Sequence, residues 1–158
     1  MKTLELFCGT KSFSKVAKEY GYETLTLDFD NTFNPDIAKD IMDFYIQDLN
    51  GYRPDIIWAS PPCQKFSVAS LGRNWNKEDM TPKNDDTKKA MQIVLKTVQI
   101  IKDLKPKYFY IENPRAMLRK IGLIPYDYST VTYCQYGFHY MKPTDIWSNN
   151  EEWLKVAK

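Results

Sequence analysis

The segment DIIWAS at residues 55–60 is a short apolar run that ends at two prolines, 61 and 62. A run of this length with such a stop is typical of a buried β-strand. Similar runs at 3–8, 23–29 and 108–112 lie on both sides of it and are also predicted strands. Longer amphipathic stretches separate these runs, and this alternation predicts an α/β sheet covered by helices.

The strongest predicted helix covers residues 85–104, and Pro106 follows it. One of its faces carries an apolar stripe of Ala90, Val94, Val98, Ile101 and Leu104. A second helix is predicted after Ser12, a candidate N-cap, and ends at Gly21. Its apolar face is expected to consist of Phe13, Val16, Ala17 and Tyr20.

The remaining segments give weaker patterns. Residues 130–135 and 145–148 are predicted to form two final strands, and residues 35–51 are ambiguous. Residues 65–83 lack periodicity and are predicted to form a long loop, which in a compact domain is usually functional or mobile. Within this loop, Trp75 is a candidate contact for a base or a partner, whereas the tyrosines near the last strands are expected in the core or at its rim.

The chain has 158 residues, a hydrophobic fraction of 43% and a net charge of +2. These values suit one folded domain, so we expect a single domain over 1–158. No apolar run approaches the roughly 18–20 residues of a membrane span, and the first residues do not resemble a signal peptide. Three separated cysteines and one histidine argue against a disulfide framework or a zinc site, so we expect no metal and a cytoplasmic location.

Charge is unevenly distributed along the chain. Acidic residues outnumber basic ones between 28 and 55, and the reverse holds between 102 and 120. A polyanion could therefore be favoured on one side of the molecule and disfavoured on the other. The simpler interpretation of each cluster is a solvated surface.

The ends of the predicted strands carry unusual residues, and ligands of open α/β sheets bind at the carboxyl ends of strands. Gly9 follows the first strand and allows a tight turn close to a nucleotide-like ligand. Asp28 follows the second strand, 19 positions later. This is near the roughly 20-residue offset at which an acidic side chain accepts hydrogen bonds from ribose hydroxyls.

Two further strand ends carry potential reactive groups. Cys63 follows the prolines, which hold the chain extended, and is either a partly exposed nucleophile or a small buried hydrophobe. Glu112 ends an apolar run where desolvation could raise its pKa and make it a proton donor, although Asn113 before Pro114 also suits a helix start. Cys8 and Cys134 fall in apolar strands and are predicted core residues.

On these residues the sequence resembles the DNA cytosine-5 methyltransferases, in the family's order along nearly the whole chain. The most specific resemblance is Pro62-Cys63-Gln64, followed by Phe66-Ser67, together with Glu112-Asn113. The supporting matches are Leu6-Phe7-Cys8-Gly9, Asp28-Phe29, Asp40-Ile41, and Tyr136-Gly137 followed by Lys142-Pro143-Thr144.

The resemblance implies a Rossmann-like, class I S-adenosylmethionine-dependent methyltransferase sheet. This sheet is mostly parallel with an antiparallel last strand, and helices cover both faces. It implies transfer of a methyl group to C5 of cytosine in DNA, with Cys63 attacking C6 of a flipped-out base and Glu112 protonating N3. Asn113 would fix the loop, and the cofactor would bind at Phe7, Cys8, Gly9, Asp28, Phe29, Asp40, Ile41 and Pro62. Gln64, Ser67, Lys142 and Thr144 would contact the substrate.

The sequence also departs from the family's pattern. Lys11 and Ser12 stand where the first loop normally has glycines, and Lys142 and Thr144 stand where the late motif has arginines, which lysine does not replace equivalently. No counterpart of the target-recognition domain or of the last motif is visible. We therefore expect a minimal catalytic domain, with recognition reduced, supplied by residues 65–83, or provided by a second chain.

Two alternatives remain open at this point. The chain could be a catalytically degenerate binding module or a subunit that needs a partner. It could also be an amino-methyltransferase, since Ser60-Pro61-Pro62-Cys63 is similar to the motif of those enzymes except at its last position, where they carry an aromatic residue that stacks on the base.

Overall fold

The computed structural model describes residues 1–157. The strands are β1 (Lys2–Leu6), β2 (Glu23–Asp28), β3 (Ile37–Ala38), β4 (Ile56–Ala59), β5 (Tyr108–Pro114), β6 (Tyr128–Thr132) and β7 (Pro143–Ser148). The helices are α1 (Ser12–Glu19), α2 (Leu71–Asn74), α3 (Asp85–Leu104), α4 (Met117–Ile121) and α5 (Glu151–Val156). Short 3₁₀ turns occupy Asn31–Phe33, Ile41–Asp43, Ile46–Leu49, Val68–Ser70 and Tyr133–Tyr136.

All these strands form one sheet in the order β3-β2-β1-β4-β5-β7-β6. The first five pair in parallel, and β7 runs antiparallel to both β5 and β6. The predicted mostly parallel sheet with an antiparallel last strand is therefore confirmed. Because chain order reverses between β1 and β4, the carboxyl ends of these strands border a crevice, which is where ligands bind in such sheets.

Helix α3 has the bounds predicted from the sequence. The Asn84 side chain accepts a hydrogen bond from the backbone N–H of Thr87 at 2.9 Å and caps its start. Its end has Lys105 in a left-handed conformation, with Pro106 next. Every residue of the predicted apolar stripe is buried, so this helix covers the hydrophobic core as expected.

Helix α1 differs from its prediction at its start and on its buried face. Ser12 is the first helical residue and does not cap the helix, and the preceding Lys11 offers no side-chain cap. The buried Glu5 of β1 does so instead, by accepting hydrogen bonds from the N–H groups of Phe13 and Ser14 at 3.3 and 2.9 Å. The helix buries Ser14 and Ala17, whereas Val16 and Tyr20 are exposed.

Helices lie on both faces of the sheet, as predicted. On one face, Phe13 of α1 stacks on Trp58 of β4, with ring centroids 5.4 Å apart. Tyr110 is the register partner of Trp58 on β5 and meets Trp153 of α5 edge-on. The alternate residues of β4 and β5 point to the opposite face, where they share a core with the stripe of α3.

The segment 65–83 is folded and well anchored. Trp75 is fully buried, its ring lies 5.9 Å from that of Phe66, and its indole N–H donates to the carbonyl of Lys65 at 2.6 Å. The prediction that Trp75 contacts a base or a partner is therefore wrong. Trp75 packs on the apolar ring of Phe66, whereas its neighbours in sequence are polar.

A buried ion pair joins α4 to the antiparallel end of the sheet. The Arg119 guanidinium donates to both carboxylate oxygens of Asp145 and also to the hydroxyl of Thr130. Asp145 is fully buried. We expect Arg119→Met to lower the free energy of unfolding by about 3–5 kcal/mol, because it leaves a buried carboxylate without its cationic partner and with only the Thr130 hydroxyl as a donor. Urea denaturation measures this change.

The exposed pair of Lys88 with Asp85 is the matched control, since its N–O distance of 3.2 Å also marks an ion pair. Lys88→Met should change the free energy of unfolding by less than about 1 kcal/mol. Equal effects of the two variants would show that the Arg119 pair contributes no more than a surface contact.

In the part of the chain that the structure describes, no helix combines the length and the apolar character needed to cross a bilayer.

Candidate active site

The loop after β1 is held in an unusual backbone conformation. Phe7, Gly9 and Lys11 have φ values of 59°, 43° and 60°, so three alternate residues lie in the left-handed region. This conformation is costly for Phe7 and Lys11, and such strain is concentrated at functional sites. The N–H of Gly9 donates to the Asp28 carboxylate at 2.9 Å, which ties this loop to the end of β2.

A cleft of about 580 Å³ opens at the carboxyl ends of β1, β4 and β5. This volume lies within the roughly 300–1,000 Å³ of small-molecule sites. Its walls combine the first loop, α1 and the strand ends, and consist of Glu5, Phe7, Cys8, Gly9, Thr10, Ser12, Phe13, Val16, Trp58, Ser60, Glu112 and Tyr133. The structure thus brings Phe7, Cys8 and Gly9 together with Glu112.

The other residues expected at the cofactor are not among those that line this cleft. Asp28 is buried, and its second oxygen accepts from the N–H of Asp30 at 3.0 Å. Phe29 projects into solvent and is 72% exposed. Asp40 caps the 3₁₀ turn that follows it, whereas Ile41 belongs to the hydrophobic core.

Cys63 lies on a loop that is fastened at both ends. The Asn113 side-chain amide donates to the carbonyl of Pro61 at 2.9 Å, and the N–H of Met117 donates to the carbonyl of Phe66 at 3.0 Å. Within the loop, the carbonyl of Cys63 accepts from the N–H groups of Phe66 and Ser67. Asn113 therefore does not start a helix: it continues β5 and holds the loop.

The accessible surface differs along this loop. Cys63 is half-buried, and Ser67 is also half-buried, whereas Pro62 and Gln64 are exposed. The thiol thus lies neither in the hydrophobic core nor fully in solvent. This is the environment expected of a reactive cysteine rather than a structural one.

Glu112 carries an unpaired polar atom in the wall of the cleft. Its Oε1 is buried and has no hydrogen-bond partner among residues 1–157. Burial raises the pKa of Glu112 above its ordinary value, and the charge of Lys142 offsets this only in part. A carboxyl group in this state holds a proton at higher pH than usual, and its free oxygen can still take part in a hydrogen bond.

Lys142 connects the two predicted reactive groups. Partial burial lowers its pKa, but the neighbouring Tyr133, Glu112 and Cys63 together raise it above the ordinary value. The ammonium group lies 4.9 Å from the centroid of the Tyr133 ring. The charges of Cys63 and Glu112 both act on this ammonium, so Lys142 lies near each of them, although Cys63 is not among the residues that line the cleft.

Thr144, the other residue expected from the late motif, is fully buried in β7. Its hydroxyl donates to the carbonyl of Lys142 at 3.3 Å. Thr144 therefore hydrogen-bonds to the backbone of Lys142 and is not exposed to solvent.

The three cysteines have different environments. Burial, together with the charges of Asp28 and Glu5, raises the pKa of Cys8 to about 11, so this thiol stays protonated at neutral pH. The prediction that Cys8 is a core residue is confirmed, since it is buried. The same prediction for Cys134 is wrong: β6 ends at Thr132, and Cys134 is exposed in the 3₁₀ turn that follows.

The cleft also contains residues that the sequence did not assign to a site, among them Glu5, Phe13, Trp58 and Tyr133. Glu5 carried a usable signal, because an acidic residue inside an otherwise apolar strand requires a partner. The others gave none, since an aromatic residue in a strand or helix is usually part of the core. Within residues 1–157, no group of three or more histidine, cysteine or acidic side chains is arranged to hold a metal ion.

Comparisons with known proteins identify relatives of this chain. Residues 1–121 match the family of C-5 cytosine-specific DNA methylases. The chain is 33% identical over 157 residues to the "Probable DNA (cytosine-5)-methyltransferase" of Frog virus 3 (isolate Goorha), and the match covers 96% of this chain and 72% of the viral protein.

Two solved structures share the fold. Entamoeba histolytica methyltransferase EhMeth matches 92% of this chain with a TM-score of 0.67 and 14% identity, and S. pombe Dnmt2 methyltransferase matches all of it with a TM-score of 0.59 and 16% identity. The chain spans 52% and 54% of these proteins, about half of each. The family match over residues 1–121 and the similarity to the viral protein together show that this chain belongs to the C-5 cytosine-specific DNA methylase family.

Proposed function

We propose that this protein transfers a methyl group from S-adenosylmethionine to C5 of cytosine in DNA, through a covalent bond between Cys63 and C6 of the base. The observation that carries this proposal is the unpaired, buried Oε1 of Glu112, which shares Lys142 as a neighbour with the half-buried Cys63. A pyrimidine held between these groups would meet a nucleophile and a proton donor at once.

The reaction balances with the groups present. The Cys63 sulfur, after loss of its proton, adds to C6, and the Glu112 carboxyl donates a proton to N3, so that the electron pair of the C5–C6 double bond becomes available at C5. Bound S-adenosylmethionine would supply the methyl group that C5 takes up, and breaking its sulfur–methyl bond would leave a neutral thioether. Loss of the C5 proton to solvent then restores the C5–C6 double bond as the sulfur leaves C6, and the N3 proton returns to Glu112.

The cleft supports cofactor binding at the proposed residues. The backbone at Phe7, Cys8 and Gly9 lines the cleft directly, and a Cβ added at Gly9 would meet no atom within 4 Å, so the turn leaves open space beside it. Asp28 holds this turn through Gly9, and its remaining lone pairs suit ribose hydroxyls. Phe29, Asp40, Ile41 and Pro62 complete the proposed set as surrounding residues.

The proposed substrate contacts follow the fastened loop and the late motif. Gln64 is exposed beside Cys63, Ser67 directly precedes the next 3₁₀ turn, and Lys142 adds a positive charge close to Cys63 and Glu112. The Thr144 hydroxyl would hold the backbone of Lys142 through its hydrogen bond to the Lys142 carbonyl. DNA is the proposed partner, and recognition of a target site by a second chain stays a prediction, as do the single-domain organisation and a cytoplasmic location.

The alternative of an amino-methyltransferase is disfavoured by the family to which the chain belongs. The structure adds that the Ser60 hydroxyl of the similar motif accepts a hydrogen bond from the Trp58 indole at 2.9 Å.

We expect incubation with DNA and labelled S-adenosylmethionine to place the label in 5-methylcytosine, identified after digestion of the DNA to nucleosides. Label in N4-methylcytosine would instead identify an amino-methyltransferase. An unlabelled product, together with cofactor binding by calorimetry, would show that the chain is a binding module.

A further inference from the structure

Three aromatic rings form an exposed cluster between β6 and β7. The rings of Tyr133, Phe138 and Tyr140 lie with their centroids 5.3–5.8 Å apart, and we call them the aromatic triad. Phe138 is 52% exposed and Tyr140 is 54% exposed. Burial of an aromatic ring against a partner is favourable in free energy. This much exposed aromatic surface therefore marks a candidate contact.

The aromatic triad adjoins the reaction site. β6 ends at Thr132 and β7 begins at Pro143, so the connecting segment lies at the carboxyl edge of the sheet. Tyr133 forms part of the same cleft wall as Glu112, and its ring contacts the Lys142 ammonium that neighbours Cys63. Through Tyr133, the triad therefore adjoins both Lys142 and the cleft wall that carries Glu112, and its other two rings are exposed.

The chemistry of this extension suits a nucleobase. Aromatic side chains stack on the faces of bases, and a neighbouring cation attracts the phosphates of the strand. In an intact duplex the base faces are covered by their neighbours, and only an unpaired base offers its face to a protein. The combination of half-exposed rings and a lysine next to a cytosine pocket thus favours an unpaired strand.

We propose that the aromatic triad stacks on the base adjacent to the target cytosine, and that the protein prefers cytosine in single-stranded or locally unpaired DNA to cytosine in a duplex. This inference rests on the proposed function, because it takes the pocket beside the triad to be the cytosine site. It names the substrate class, which the sequence left open.

The test measures binding of short fluorescent oligonucleotides by anisotropy, without methyl donor. Phe138→Ala and Tyr140→Ala should each weaken binding of a single strand with one cytosine about 5- to 100-fold. Phe138→Tyr keeps the ring and should bind as the wild type does. Tyr20→Ala removes an exposed ring at the end of α1, far from the carboxyl edge, and should have no effect.

A second set of oligonucleotides separates stacking from a structural role. With an abasic nucleotide next to the cytosine, on the 5′ or the 3′ side, wild-type binding should weaken and the difference between wild type and Phe138→Ala should disappear. If the variant weakens binding of intact and abasic strands equally, the triad only supports its loop and the inference is wrong.

Two further outcomes would overturn the inference. A matched duplex bound as tightly as the single strand would contradict the substrate class, and unchanged binding by both alanine variants would contradict the contact. Failure of the proposed function would give another result. Single strands would still bind more weakly to the Phe138→Ala and Tyr140→Ala variants than to the wild type, but no 5-methylcytosine would form.

Discussion

Cys63→Ala is expected to reduce methyl transfer to DNA by at least about 1000-fold, because it removes the sulfur that is proposed to bond to C6. Cys8 cannot substitute for it, since that thiol is buried and stays protonated at neutral pH. The half-buried position of Cys63 makes the change tolerable for folding, so the variant should unfold at the same temperature as the wild type. Transfer of labelled methyl groups measures the rate.

The covalent step can be observed directly. DNA with 5-fluorocytosine should trap the wild type in a complex that survives a denaturing gel, because fluorine at C5 cannot leave as a proton does and the sulfur stays bound to C6. Cys63→Ala should give no complex. Cys134→Ala removes an exposed thiol outside the cleft and should trap normally. Trapping by Cys63→Ala, or its absence in the wild type with cofactor present, would refute the covalent mechanism.

Glu112→Gln is expected to lower kcat by about 100- to 10,000-fold, because it removes the proton donor to N3 and keeps the shape of the side chain. The wild-type rate should also depend on pH. Burial raises the pKa of Glu112, so its protonated fraction falls only at higher pH than for an ordinary carboxyl. On the alkaline side of this raised pKa the rate should decline, and Glu112→Gln should lack this decline.

Glu112→Gln should lower activity but raise the stability of the folded protein. The raised pKa means that ionised Glu112 is disfavoured in the folded protein, so the wild type loses stability as pH rises from the unfolded value of about 4.5 through the folded pKa. Glu112→Gln should therefore be more stable than the wild type at pH 8 and equal to it near pH 4, as measured by urea denaturation.

Glu152→Gln, at the exposed start of α5, controls for the loss of one charge. If Glu112→Gln is as active as the wild type, Glu112 is not the proton donor. If it gains no stability at pH 8, burial does not disfavour the ionised carboxylate.

The elements that were predictable are those whose signals are local. Helix α3 has a capping asparagine, a complete apolar stripe and a proline after its end, so its bounds follow from neighbouring residues. The strand ends that carry Cys63 and Glu112 were equally visible, because an apolar run followed by a polar residue marks the edge of a buried strand. These features were sufficient to predict the sheet and to name Cys63 and Glu112 as candidate reactive side chains.

The errors arose where a distant partner decides the structure. Trp75 lies among polar residues, and only its packing on Phe66 explains its burial. The buried face of α1 depends on Glu5, which caps the helix from a neighbouring strand and directs Ser14 inward. Such long-range contacts leave no periodic pattern in the segment itself.

The fastening of the Cys63 loop by Asn113 and Met117 has a consequence for how the protein would lose activity. Both anchors lie within five residues of Glu112, so the proposed nucleophile and the proposed acid depend on one short piece of chain. A thermal fluctuation that detaches this piece disables both groups together. Inactivation on heating should then be all-or-none for each molecule, with no population that retains only one of the two chemical capacities.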